Sequence, residues 1–392
     1  PLRKQIESAM ENARWHLGPV RLQPWIGIRN FGWVDNATGS ANNPQADVTI
    51  SAGAGLRAYL PVGSKTVLFA RALPEYIWWK DTEYRRQWAG RYSAGAMVFL
   101  NRMTIELVGN RTEQQDYINA EVTLPVTNRY DAGTLSLDVR LLRRLSVVVQ
   151  GTKSSFRVDE SDAEASAYAS LERDEQFVSA GLRYTFSESF SLTLGGHRSD
   201  VAFLDPDYDR SNTGEGYYGA LNFGRRRLAA SLNYAFYTVD PKDASVFTPF
   251  DGNTGQANVS YKLTDRVRVG VYGGRTLGYA TGQGSPYYIE YRVGAGVSFP
   301  LGWRIAARVF AEQGDMEYPE YEQSPAYTVD RTGMGASMSV QILKGATLGV
   351  TYNRWRNDYG DRVTEVNQVQ TSLGFLQLGW WENRRRWLVP GG

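Results

Sequence analysis

Between Arg102 and Val108 the chain alternates strictly, with Met103, Ile105 and Leu107 in one phase and Thr104 and Glu106 in the other. The same rhythm returns at 134–141, where Leu135, Leu137, Val139 and Leu141 oppose Thr134, Ser136, Asp138 and Arg140, and again at 266–271. Successive strand side chains point to opposite faces, so a period of two predicts strands with one apolar and one polar surface. Asp138 and Arg140 share the polar face with Ser136. Buried in a dry sandwich core they would carry a large desolvation penalty, whereas facing water they do not. The polar face is therefore expected to line a wide, water-filled barrel and the apolar face to meet lipid, an all-β, antiparallel up-and-down transmembrane design.

The same rhythm divides the rest of the chain. Leu2, Ile6, Met10 and Ala13 recur every three or four residues, predicting a short amphipathic helix over 2–16 that ends near Leu17-Gly18-Pro19. Strands are then expected at 20–33, 46–60, 65–80, 84–100, 102–115, 129–142, 144–158, 174–187, 189–203 and 214–225. Eight more follow at 226–240, 253–263, 265–279, 285–299, 301–314, 326–342, 344–357 and 364–380. That makes about eighteen, with sixteen as the alternative count. The chain is thus divided into a helix and lead-in (1–19), a transmembrane barrel (20–381) and a periplasmic tail (382–392).

Connection lengths alternate, which favours a barrel over a sandwich. Short links fall at 61–64, 100–101, 142–144, 187–189, 224–226, 264–265, 299–301 and 343–345. Longer polar segments, such as 35–45, 159–173, 205–214, 241–253 and 313–325, lie mostly between them. Short periplasmic turns and long outer loops place both chain ends on the periplasmic side. A strand, basic turn, strand unit recurs about every 40 residues, but the four short strands and signature dipeptide of a propeller blade are not visible. Trp78, Trp79, Trp88, Tyr92, Tyr217, Tyr218, Tyr287, Tyr288, Tyr291, Trp380 and Trp381 cluster near strand ends and are expected to form interface girdles.

Composition narrows the function classes. The 392 residues have mean hydropathy −0.41 and contain no apolar run of 18, which excludes a helical span but not a barrel, half of whose strand positions face water. There is no cysteine, so no disulfide framework or thiolate metal site is available. A net charge of +2 provides no global field for nucleic acid. The chain opens at Pro1 without a charged and then apolar leader, and a signal peptide is expected to have been removed.

Candidate chemistry is sparse. His16 and His197 are far apart and no Gly-x-Ser-x-Gly elbow occurs, so no enzyme activity is expected. Asp205, Asp207 and Asp209 alternate as in a hard-cation loop but lack the glycine and terminal glutamate of an EF-hand, which favours a solvated outer loop. The glycines at 273, 274, 282 and 284 precede no helix that could cradle phosphate. No cofactor is expected. The candidate pore-lining residues are Glu106, Asp138, Arg140, Arg268, Arg304 and Arg308, each in the phase opposite its strand's apolar residues. Rings of charge set pore selectivity, and four arginines against two acids lean toward anionic solutes.

Residues 17–28 (Leu-Gly-Pro-Val-Arg-Leu-Gln-Pro-Trp-Ile-Gly-Ile), 32–36 (Gly-Trp-Val-Asp-Asn), 121–129 (Glu-Val-Thr-Leu-Pro-Val-Thr-Asn-Arg), 259–266 and 286–296 resemble an outer-membrane β-barrel porin family often associated with exopolysaccharide and capsule export. The resemblance implies a bacterial outer-membrane location and a conduit for exopolysaccharide or other polar or anionic solutes. The implied surroundings are lipid bilayer and lipopolysaccharide, with polysaccharide-export or other envelope proteins as further partners. The alternative is a plugged structural barrel that anchors an envelope assembly. Barrels of this kind usually end on a strand closing with an aromatic residue, whereas this chain continues Trp-Trp-Glu-Asn-Arg-Arg-Arg.

Overall fold

A computed structural model describes residues 2–37, 44–116, 118–121, 126–159, 168–205, 209–243, 249–281, 285–301, 304–321, 325–343, 346–360 and 363–375. Helix α1 spans Leu2–Glu11 and a short strand, β1, spans Trp15–Leu17. The wall begins with β2 (Val20–Val34), β3 (Asp47–Val62), β4 (Thr66–Trp79), β5 (Gln87–Phe99), β6 (Met103–Asp116) and β7 (Val126–Arg140). It continues through β8 (Leu145–Val158), β9 (Arg173–Ser187), β10 (Phe190–Phe203), β11 (Asn212–Arg225), β12 (Leu228–Pro241) and β13 (Phe250–Lys262). The last strands are β14 (Arg268–Tyr279), β15 (Tyr287–Leu301), β16 (Ile305–Tyr318), β17 (Tyr327–Leu343), β18 (Ala346–Asp358) and β19 (Val363–Phe375).

From β2 to β19 each strand pairs antiparallel with the next, and β19 returns to β2 through Gln368 opposite Val34 and Phe375 opposite Ile26. The wall is a closed barrel of eighteen strands, which removes sixteen as a count. Closure leaves no unpaired sheet edge, and this is what lets a sheet sit in hydrocarbon. A barrel of this size encloses an aqueous lumen instead of filling with side chains.

Alternation decides the two faces. Leu107 (54% exposed), Val178 (56%), Leu194 (57%) and Val293 (51%) point outward, in the phase that predicts lipid contact. So large an exposed apolar belt belongs in a bilayer, and lipid is its partner. Among the described residues no helix is long and apolar enough to cross a membrane. On the outer wall near the short turns Tyr184, Phe186, Phe190 and Phe223 form a chain of ring contacts with centroids 4.6 to 6.3 Å apart. Toward the loop end Tyr76 and Trp88 meet edge to face at 5.4 Å.

The expected girdle is corrected in part. Neighbouring residues of a strand cannot both face lipid, so Trp88 and Tyr217 point out at 70% and 78% exposure. Trp79 and Tyr288 are buried at 3%, and Tyr218 lines the lumen. Trp380 and Trp381 lie outside the described residues, as does the proposed tail at 382–392.

Several strand ends shift by a few residues from expectation, and two boundaries are informative. The helix stops at Glu11, and Trp15–Leu17 folds back on Val20, Arg21 and Leu22 through Gly18, whose φ of 59° a residue with a side chain rarely adopts. The link expected at 299–301 falls later, because β15 continues through Pro300 and Leu301, which pair with Ala306 and Ile305.

Candidate functional site

The lumen is built by the inward phase of each strand. At its short-turn end is a cavity of about 1290 Å³, lined along β6 to β16. Glu106, Asp138, Arg140, Arg268 and Arg308 all line it, each from its predicted phase. Arg304 does not. It lies exposed at the short-turn mouth, just ahead of β16.

Sequence reasoning missed several residues that act with these. Arg183, inward between Leu182 and Tyr184, reaches across β8 to place its guanidinium 2.7 Å from the Asp138 carboxylate. Its alternation was as legible as that of Asp138. Tyr272 donates to Glu312 at 2.5 Å beside the Arg308 sector of the wall. Register places Arg57 directly opposite Arg71, both in the inward phase of β3 and β4. Glu290 on β15 and Arg331 on β17 pair at 3.1 Å.

Both mouths are narrowed from within. Helix α1 lies against the inner wall at the short-turn end, where Ile6 packs on Val67, Met97 and Phe99. Arg3 stands 5.9 Å over the Phe99 ring and donates to the Ser64 carbonyl at 3.5 Å in the β3–β4 turn. The amphipathic face read from sequence therefore meets the inner wall of the barrel.

At the loop end the segment after β6 crosses to the far wall. Tyr318 donates from β16 to Glu121 at 2.6 Å, and the Thr281 amide donates to the same carboxylate at 2.6 Å. Asn357 on β18 donates to the Ala120 carbonyl at 3.2 Å, and the Tyr288 ring packs beside Ala120, Met316 and Tyr318. Glu121 belongs to a loop outside the spanning strands. Burial pushes its carboxyl above the ordinary range, against the hydrogen bonds from Tyr318, Thr281 and Asn119, which favour the ionised form.

Two buried arginines brace the same end. Arg85 donates to the Ala37 carbonyl at 2.6 Å and stacks 4.6 Å over Trp79. Arg210 donates to the carbonyls of Ala280, at 2.5 Å, and Ser170, and stacks 4.6 Å over Phe203. Carbonyl acceptors and ring faces compensate each buried guanidinium while joining separate loops.

His197 faces the lumen from β10, with ring neighbours Phe177 at 5.7 Å and Tyr237 at 5.1 Å. Its setting is aromatic, and the nearby Ser199 hydroxyl is engaged with Tyr237 at 2.8 Å. The 205–214 loop lies partly outside the described residues, and among the described ones no acidic or histidine cluster is grouped to hold a metal.

No protein-family model matches the sequence, and no curated protein matches it. Among solved structures the chain is similar to OccK2 (OpdF) of Pseudomonas aeruginosa, with 12% identity and TM-score 0.56 over 90% of this chain and 97% of that one. OccK2 has also been solved in complex with glucuronate. The outer membrane protein OprD of Pseudomonas aeruginosa is similar at 11% identity and TM-score 0.54, over 93% and 95% of the two chains. OccAB3 of Acinetobacter baumannii follows at 9% and 0.54, over 90% and 98%. The TM-scores and coverage establish a shared fold, and with the apolar belt they give the conclusion that this chain is an eighteen-stranded β-barrel of the bacterial outer membrane, with the fold of those porins.

Proposed function

We propose that the barrel is a passive, selective channel for small polar and anionic solutes. The observation that carries this reading is the charge on the cavity lining, where Arg102, Arg140, Arg183, Arg268 and Arg308 outnumber Glu106, Asp138 and Glu188. In a narrow, low-dielectric passage fixed arginines lower the free energy of an anion and raise that of a cation. Asp138 offsets Arg183, and the remaining positive charge of the lining centres on Arg140, Arg268 and Arg308. Glu106, Asp138 and the four arginines named from sequence are proposed as the selectivity residues, with Arg304 acting from the mouth.

The complex of OccK2 with glucuronate supports the same solute class, a small carboxylate. Helix α1 and the 118–121 crossing favour small solutes over a continuous polysaccharide strand, because each occupies part of the cross-section. An exopolysaccharide conduit remains the wider reading of the same lumen, and it requires the crossing segment to leave its wall contacts. A plugged anchor for envelope proteins is the rival reading.

Single-channel recording of the refolded protein in a planar bilayer tests all three. The expected result is a stable conductance whose reversal potential in a salt gradient reports anion preference. Silence from demonstrably folded barrel favours the anchor, and conductance arising only with long polymer favours the conduit.

A further inference from the structure

Between the charged sectors lies a wall of different chemistry. On β10, β11 and β12 every inward position is free of Asp, Glu, Lys and Arg, a consequence of alternation that sends Arg198, Asp200, Glu215 and Asp240 outward. Aromatic rings and neutral hydrogen-bonding groups take their place. Phe177 and His197 stack at 5.7 Å with 27° between planes, and His197 is 6.2 Å from Tyr218 and 5.1 Å from Tyr237. The four rings form one contiguous platform across β9 to β12.

Glycines keep that platform low. Tyr218 lies over Gly181 and Gly195, where an added Cβ would come within 2.8 Å of the ring or its hydroxyl, and Tyr237 lies over Gly214 in the same way. A ring pressed against the backbone of a neighbouring strand turns a face, not an edge, toward the lumen. Ser199 fixes Tyr237 further through a 2.8 Å contact between hydroxyls. The Tyr218 end of the platform opens into the 1290 Å³ cavity, where Thr193, Asn222, Ser231 and Asn258 supply hydroxyl and amide groups.

A pyranose ring is complementary to such a surface. Its C–H face carries slight positive charge and stacks on the negative face of an aromatic ring, while its rim of hydroxyls needs neutral donors and acceptors. On β10 to β12 no formal charge holds a competing ion and its hydration shell in place, and on β9 the inward Glu175, two residues from Phe177, is paired with Arg173 at 2.6 Å. We propose that the β10–β12 wall, with Phe177 of β9, is a stacking site for neutral sugar rings, set beside the arginine-lined sector and used by solutes that carry no charge. It rests on the channel reading given above and adds a second solute class to it.

The test is the ion current of single barrels with maltohexaose added, set against a polyethylene glycol of equal size, which has no ring to stack. Expected are resolved sugar blocks whose residence time falls about tenfold in Tyr218→Ala and in Tyr237→Ala, the order by which losing one stacked aromatic weakens base stacking. Tyr218→Phe retains the ring and is expected to retain the block. Polyethylene glycol blocks stay brief and equal in all variants. Sugar residence times that are equal in wild type and Tyr218→Ala, or that match polyethylene glycol, overturn the site while leaving the conductance standing. If the barrel carries no current, the channel reading fails separately, and equilibrium dialysis of maltohexaose with the detergent-folded protein decides the site. Binding lost in Tyr218→Ala upholds it, and absence of binding to wild type overturns it.

Discussion

Tyr318 on β16 donates a 2.6 Å hydrogen bond to Glu121, a residue of the loop that leaves β6 on the other side of the barrel. This bond, with the Thr281 amide on the same carboxylate, holds chain across the lumen.

Removing the bond should free the crossing segment. Tyr318→Phe and Glu121→Ala are expected to raise open-channel noise and mean conductance, because removing one partner of a buried hydrogen bond costs about 1–3 kcal/mol. Single-channel recording checks this, and unchanged traces in both variants would mean the segment is held by its apolar contacts instead.

The Glu121 tether should also respond to pH. Its carboxyl is raised in the folded protein, so the docked loop binds the proton more tightly than the released one. Docking is then fully stabilised below the ordinary glutamate range and weakens as pH rises through the raised value. Loop-release events should become more frequent as pH rises above the ordinary glutamate range, and Glu121→Gln should flatten that dependence.

Charge reversal on the wall should move selectivity. Arg308→Glu and Arg268→Glu are expected to shift the reversal potential in a salt gradient toward cations, and the shift should shrink at high salt. Arg304→Glu, at the exposed mouth, should produce a smaller shift than Arg308→Glu.

Asp138→Asn separates selectivity from stability. Asp138 and Arg183 are 41% and 39% exposed, so their pair contributes about 0–1 kcal/mol to folding. The urea midpoint should hardly change, while anion preference rises because Arg183 loses its counter-charge.

Gly294 offers a test of the inner wall. An added Cβ there meets the Tyr272 ring, which in turn donates to Glu312 at 2.5 Å. Gly294→Ala is expected to destabilise by about 1–3 kcal/mol through overpacking. Pairing it with Tyr272→Ala should recover part of that loss in a gel-mobility melting assay, since the clash is with a side chain. Gly216→Ala meets the Phe236 carbonyl of the neighbouring strand, and no side-chain truncation should rescue it.

Much of this molecule was legible locally. Alternation is a property of neighbouring residues, so Leu107 out and Glu106 in could be read without knowing the partner strands. Length contrasts between turns and loops pointed to about eighteen strands, with sixteen as the alternative, and only closure of β19 on β2 decided between them. The inward phase of Glu106, Asp138, Arg140, Arg268 and Arg308 needed only that rhythm, and Arg183 was equally readable but not singled out.

The tertiary structure decided what occupies the enclosed space. Tyr318 and Glu121 are 197 residues apart, and nothing near either one signals the other. The inner-wall seat of Ile6, the pairing of Asp138 with Arg183 across β8, and the platform joining Phe177, His197, Tyr218 and Tyr237 depend equally on closure. A strand's own sequence settles which face each side chain takes, because the period is set by the backbone. Which side chains then meet across a lumen depends on how the whole sheet curves shut.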